Sequence, residues 1–177
     1  MIAGLSRARV EHVVVGGVAG TMLGSARFTN DLDICYDPDD GNRRRLAALL
    51  LSWNAALRGA DPDLPFVPDL RQLRTTPVMT LVTRAGWLDV MDRVAGVGDY
   101  PAVLRQSQPA ESLGIRFRIL TIDALIAAKR AAGRRKDYEA LLELEALREI
   151  IRRREVRERG ARYRARRSRG TRKRRST

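Results

Sequence analysis

The sequence predicts a single α+β domain, and three observations carry that reading. Short β-branched or alternating apolar segments recur along the chain. Apolar residues at helical spacing lie between them, and Gly, Pro and Asp punctuate the joins. The 177 residues, 44% of them hydrophobic, are enough for one domain with a real core.

Residues 10–15 (Val-Glu-His-Val-Val-Val) read as a strand that stops at Gly16-Gly17, with a short helix over 18–23 and a second strand over 31–36. Strand side chains alternate faces, so Asp31 and Asp33 project together while Leu32 and Ile34 point the other way. Asp37-Pro38-Asp39-Asp40 reads as a turn and helix start, its carboxylates near the positive end of the next helix. Residues 42–57 set Leu46, Leu49, Leu50, Trp53 and Leu57 on one apolar face. Four prolines mark 59–77 as a long connector.

Residues 78–83 and 87–91 are expected to pair as a hairpin through Arg84-Ala85-Gly86. A glycine-bearing loop over 92–101, a short helix over 102–107 and a strand over 115–120 follow. Thr121 is placed to cap a helix over 122–132, and Gly133 to end it. A last helix runs from about 136 past 151, its Leu141, Leu144, Leu147 and Ile151 packing on the body. Residues 1–9 leave little room for a helix ahead of the first strand.

The formal charge of +13 is unevenly placed. Fourteen of the thirty-four basic residues fall in 152–177 beside two glutamates, so the remainder is close to neutral. The domain is therefore expected over 1–151, with a core at 10–120 and C-terminal helices at 121–151; 152–177 is an Arg-rich tail, disordered or an extended helix. Such a tail suits RNA or another polyanion, unless it is low-complexity sequence without a role. One cysteine excludes an internal disulfide, and there is no Cys/His cluster for zinc. The apolar stretch 13–23 is too short and glycine-rich to span a bilayer, and no signal peptide precedes it, so a cytoplasmic protein is expected.

Two carboxylates on one strand face repel each other, and a hard divalent cation such as Mg²⁺ relieves that repulsion through carboxylate oxygens. A glycine turn beside them lets backbone N–H groups approach a phosphate. Asp31, Asp33, Gly16 and Gly17 thus point to a metal–nucleotide site. Asp89 shares a strand face with Trp87 and Met91, and an acid there needs a partner. If its strand lies beside 31–36, three carboxylates converge. His12 reads as packed or exposed rather than catalytic, Cys35 as a small buried residue, and Trp53 and Trp87 as core.

Gly16-Gly17, then Arg27-Phe28-Thr29-Asn30-Asp31-Leu32-Asp33-Ile34 and Leu88-Asp89-Val90, resemble the minimal nucleotidyltransferases of the DNA polymerase β superfamily. The stretch 125–137, from Leu125 to Asp137, is similar to the C-terminal part of nucleotidyltransferase-like toxins of toxin–antitoxin and abortive-infection systems, and the likeness spans roughly 10–147. The resemblance implies a mixed sheet flanked by helices. It implies two Mg²⁺ ions held by Asp31, Asp33 and Asp89, with Asp89 on the nucleophile side helping to deprotonate a hydroxyl. It implies a nucleoside triphosphate (NTP) received by the Gly16-Gly17 turn, its nucleoside monophosphate passing to an acceptor hydroxyl on tRNA, a protein or a small molecule. Members often carry serine where this chain has Gly17, so phosphate binding would rest on backbone N–H groups, Arg27 or Lys129. Thr29 would support the site or hold the loop before Asp31, and Asp137 would support the site or only start the last helix. A toxin with an acidic antitoxin partner is the favoured setting. The competing reading is a non-catalytic module that binds RNA or an antitoxin through the Arg-rich tail.

Overall fold

The computed structural model describes residues 1–61, 66–133 and 138–173. Asp137 and the expected start of the last helix at 136 lie outside these residues. A short helix, α1 (Ile2–Arg7), occupies the stretch that seemed too short for one. It leads to β1 (His12–Val15), α2 (Gly16–Leu23) and β2 (Asp31–Tyr36). The glycine pair is therefore the first turn of α2 rather than a loop ahead of it.

Helix α3 (Asp40–Ser52) begins at Asp39, whose carboxylate accepts the Gly41 and Asn42 N–H groups at 2.8 and 3.3 Å. It ends before the expected 57. Asn54 turns left-handed, and the Ala55 N–H bonds back to the Leu50 carbonyl at 3.0 Å. The chain then peels into a two-residue strand, β3 (Ala56–Leu57), so Leu57 sits in a sheet and not on a helix face. Within the connector, α4 (Leu70–Thr75) is capped by Asp69 and fills part of the stretch read as structureless.

The hairpin is present as β4 (Val78–Thr83) and β5 (Gly86–Met91). The following loop holds a small pair, β6 (Arg93–Val94) and β7 (Gly98–Asp99), before α5 (Tyr100–Arg105). A strand not anticipated, β8 (Ser107–Ser112), precedes β9 (Ile115–Leu120). It carries Pro109 and few β-formers, which an edge strand tolerates and a central one does not. Thr121 caps α6 (Ile122–Ala132), and Gly133 closes it with φ +59°. The last helix, α7 (Tyr138–Lys173), continues well beyond 151.

The described strands form a mixed seven-stranded sheet in the order β3-β4-β5-β2-β1-β9-β8. The β2–β5 and β1–β9 pairs are parallel and the others antiparallel. Leu32, Ile34, Leu88 and Val90 are buried together in the core. Helix α2 packs on β1, β2 and β9, α6 packs on α2, and α7 packs on α6 through a face that includes Leu141, Leu144 and Leu147. Among the described residues no helix is long and apolar enough to cross a membrane.

A buried asparagine ties the start of β1 to the turn after β2. Asn42 Oδ1 accepts the Glu11 N–H at 2.8 Å, and its Nδ2 donates to the carbonyls of Glu11 and Asp37 at 2.9 and 2.8 Å. Asn42→Leu strands the Glu11 N–H and the Asp37 carbonyl, while the Glu11 carbonyl keeps the Asp37 N–H at 3.0 Å, and is expected to cost about 2 kcal/mol in urea unfolding. A loss below about 1 kcal/mol would show that water replaces the amide there.

Candidate active site

Parallel pairing of β2 with β5 places Asp33 directly across from Asp89, and Asp31 across from Trp87. The carboxylates of Asp31, Asp33 and Asp89 consequently line one cleft of about 450 Å³. Gly16, Gly17, Arg27, Thr29 and Lys129 line the same cleft. Every site residue expected from the sequence is thus brought together, apart from Asp137, which lies outside the described residues.

The glycines serve Asp33 and Thr29 directly. Gly16 has φ +59°, and a Cβ there would stand 2.0 Å from Asp33 Oδ2. A Cβ on Gly17 would stand 2.7 Å from both Cβ and Oγ1 of Thr29. The Gly17 N–H donates to the Asp33 carboxylate, so this amide is turned to a side chain of the cleft. Thr29 Oγ1 in turn donates to Asp31 Oδ1 at 2.7 Å.

Asp33 carries the most unusual charge in the site. Burial, together with the neighbouring charges of Asp31 and Asp89, pushes its carboxyl up from 3.8 to about 7, against the opposing pull of the Gly17 N–H and Lys129. A third cation of the cleft, Arg58, was not legible as a site residue. Its Nη2 lies 3.0 and 3.2 Å from the two oxygens of Asp89, and its Nη1 3.6 Å from Asp31 Oδ2. The guanidinium sits 5.2 Å from the centre of the Trp87 ring. Trp87, expected in the core, is instead 45% exposed and belongs to the cleft side of β5. No local pattern marks Arg58: it reaches the carboxylates because β3 pairs with β4 and its N–H bonds to the Thr80 carbonyl, while Thr80 stands opposite Asp89.

The carboxylates share the cleft without converging on one point. Among the described residues no three His, Cys, Asp or Glu side chains are arranged to hold a metal ion. Arg58 engages Asp31 and Asp89, and Asp33 accepts the Gly17 N–H.

Helix α7 braces the loop ahead of β2. Glu143 Oε1 accepts the Ser25 hydroxyl and the Ala26 N–H, each at 2.8 Å, and Arg27 pairs with Glu139 at 3.6 Å. Phe28, in the same loop and on the cleft, is 89% exposed, a further residue that sequence reasoning passed over. His12 lies away from the cleft, its Nδ1 donating to the Val10 carbonyl at 2.7 Å and its pKa lowered mainly by burial. Cys35 is buried, its thiol pushed up to about 12 by desolvation, and is inert packing.

No protein-family model matches the chain, and no curated protein does. Solved structures match its fold. One is the lincosamide antibiotic adenylyltransferase LnuA with lincomycin bound, at TM-score 0.53 and 11% identity, covering 81% of this chain and 90% of that one. Another is the antibiotic-resistance factor ANT(2'')-Ia, at TM-score 0.50 and 16% identity, covering 92% of each chain. The fold is the α+β architecture of polymerase-β-like nucleotidyltransferases, a mixed sheet flanked by helices. At these identities the likeness establishes the fold, and function rests on the cleft.

Proposed function

We propose that this chain is a Mg²⁺-dependent nucleotidyltransferase that moves a nucleoside monophosphate from an NTP to a hydroxyl acceptor. The observation that carries this reading is the in-register placement of Asp33 and Asp89, with Asp31 beside them, in a cleft walled by Gly16 and Gly17. The donor set suits Mg²⁺ in chemistry and strand register: three hard carboxylates, one of them carried to about 7 by burial and the other two. Asp31, Asp33 and Asp89 would hold it once Arg58 yields its two partners. Bound there, the metal supplies charge neutralisation at the phosphates and a more acidic acceptor hydroxyl.

The protein's own groups supply the rest. Lys129 and Arg27 border the cleft as cations for the triphosphate. Asp89 is the base assigned to the acceptor hydroxyl. The hydroxyl's proton would pass to Asp89, the hydroxyl oxygen forming the new bond to the α-phosphorus as the α–β anhydride bond breaks and pyrophosphate leaves. Thr29 holds Asp31 in place through its 2.7 Å hydrogen bond.

The acceptor proposed is RNA or protein, in keeping with a toxin of a toxin–antitoxin pair. The support is the basic helix: α7 continues through the Arg-rich residues to Lys173, an extended cationic element for RNA or an acidic antitoxin. The domain division at 151 is part of the same proposal. The fold also serves a lincosamide antibiotic adenylyltransferase, so a small-molecule hydroxyl is the second reading. Incubation with Mg²⁺ and each α-labelled NTP, with bulk tRNA, cell lysate and a lincosamide as separate acceptors, tests the proposal. Label on RNA or a protein band names the acceptor, and label on the lincosamide favours the second reading. No transfer, with salt-sensitive RNA binding that is lost on truncation at 151, would instead support a binding module.

A further inference from the structure

We infer that Arg58 is a built-in competitor for the metal, a positioning residue that holds Asp31 and Asp89 and sets how tightly the cleft binds a divalent cation. This rests on the metal-dependent reading above. One nitrogen of the guanidinium reaches both Asp89 oxygens at 3.0 and 3.2 Å, and the other faces Asp31 at 3.6 Å. A guanidinium does not lose its proton in a protein, so it gives up these oxygens only by moving. A divalent ion on the same oxygens would compete for their lone pairs and be repelled by the guanidinium beside it, which weakens its binding in a partly enclosed cleft. Arg58 and the metal are therefore competitors at Asp31 and Asp89.

Two further features make displacement feasible. The Arg58 backbone is anchored, its N–H 2.9 Å from the Thr80 carbonyl, so only the side chain need swing. Trp87 offers a face already under the guanidinium, and its exposure leaves room for Arg58 to slide along the ring without leaving the cleft. Asp33 is the carboxylate outside this clamp. It accepts the Gly17 N–H and faces Lys129, Asp31 and Asp89.

The measurement is a Mg²⁺ titration of the full-length protein without nucleotide, by calorimetry and by tryptophan fluorescence. Trp53 is buried and gives a constant background, whereas Trp87 reports the movement of Arg58. Arg58→Ala is expected to bind Mg²⁺ about tenfold tighter than wild type, because the competing charge is gone. Wild type should show a fluorescence change on Mg²⁺ binding that vanishes in Trp87→Phe and in Arg58→Ala. Arg58→Lys, which lacks the planar fork, should bind Mg²⁺ with intermediate affinity, and it carries the test if the alanine variant does not fold. A purely structural ion pair would lower Mg²⁺ affinity or leave it unchanged in both variants, and that result overturns the inference while leaving the metal reading intact. Mg²⁺ binding that survives Asp33→Asn and Asp89→Asn unchanged, or no binding to any variant, removes the metal reading and this inference with it.

Discussion

Asp33→Asn is expected to reduce nucleotide transfer by about 10³-fold or more, while leaving the chain folded and more stable than wild type above pH 7. The loss follows from removing one of the three charges proposed to hold Mg²⁺. The gain in stability follows from proton linkage. The folded Asp33 keeps its proton up to about pH 7, whereas the unfolded carboxyl releases it near 3.8. Between those values the folded state binds more protons, so rising pH erodes stability across the window, and the erosion is complete above about pH 7. Asparagine does not ionise, yet its Oδ1 still accepts the Gly17 N–H. In metal-free buffer at pH 8 the variant should therefore be more stable by on the order of 2 kcal/mol, the difference closing as the pH falls toward 4. Added Mg²⁺ should raise the melting temperature of wild type and not that of the variant. A variant less stable than wild type at pH 8 without metal would show that the buried carboxylate is satisfied and not strained.

Gly16→Ala should be among the most damaging single-methyl changes in the molecule. The new Cβ would meet Asp33 Oδ2 at 2.0 Å and Cγ at 2.6 Å, from a backbone at φ +59° that alanine disfavours. Every atom met belongs to the Asp33 side chain, its Cβ included at 3.0 Å, so relief requires turning the carboxyl away from the Gly17 N–H or shifting the first turn of α2 against β2. A loss of about 3 kcal/mol or more is expected in denaturant unfolding. Transfer should disappear even where the protein remains folded, since Asp33 is displaced. The two causes separate in a double mutant. Combining Gly16→Ala with Asp33→Ala removes the clashing carboxylate and should recover all but about 1 kcal/mol, the residual cost of the left-handed alanine. No recovery would place the whole penalty in the backbone.

These expectations also show which parts of the protein could be read without coordinates. Alternation along a strand needs no partner to be known, so the common face of Asp31 and Asp33 was legible, as was the opposite burial of Leu32 and Ile34. Capping is equally local: Asp39, Thr121 and Gly133 satisfy or redirect backbone groups within a few residues of themselves. Whether Asp89 joins the other two was conditional on which strands are neighbours; the parallel β2–β5 pair brings it into their cleft, where the three carboxylates do not meet at one point.

Non-local pairing governed what was missed. β8 lacks strand propensity, and it exists because β9 offers an edge to which its backbone can bond. Leu57 keeps a helical spacing with Leu50 and Trp53, but Asn54 and the edge of β4 draw it out of the helix. Arg58 stands next to it and carries no motif at all; its place among the carboxylates depends on β3 docking against β4. Trp87 looked like core because large apolar residues usually are, and whether that face of β5 is covered is a property of the packed sheet. The sequence by itself determined which residues carry charge, which residues cap α3 and α6, and which strand side chains share a face, because those follow from bonding within a few residues. Only the tertiary structure decided that a guanidinium lies between Asp31 and Asp89 and that Asp33 is buried enough to hold its proton, because distance and desolvation are set by segments far apart in the chain.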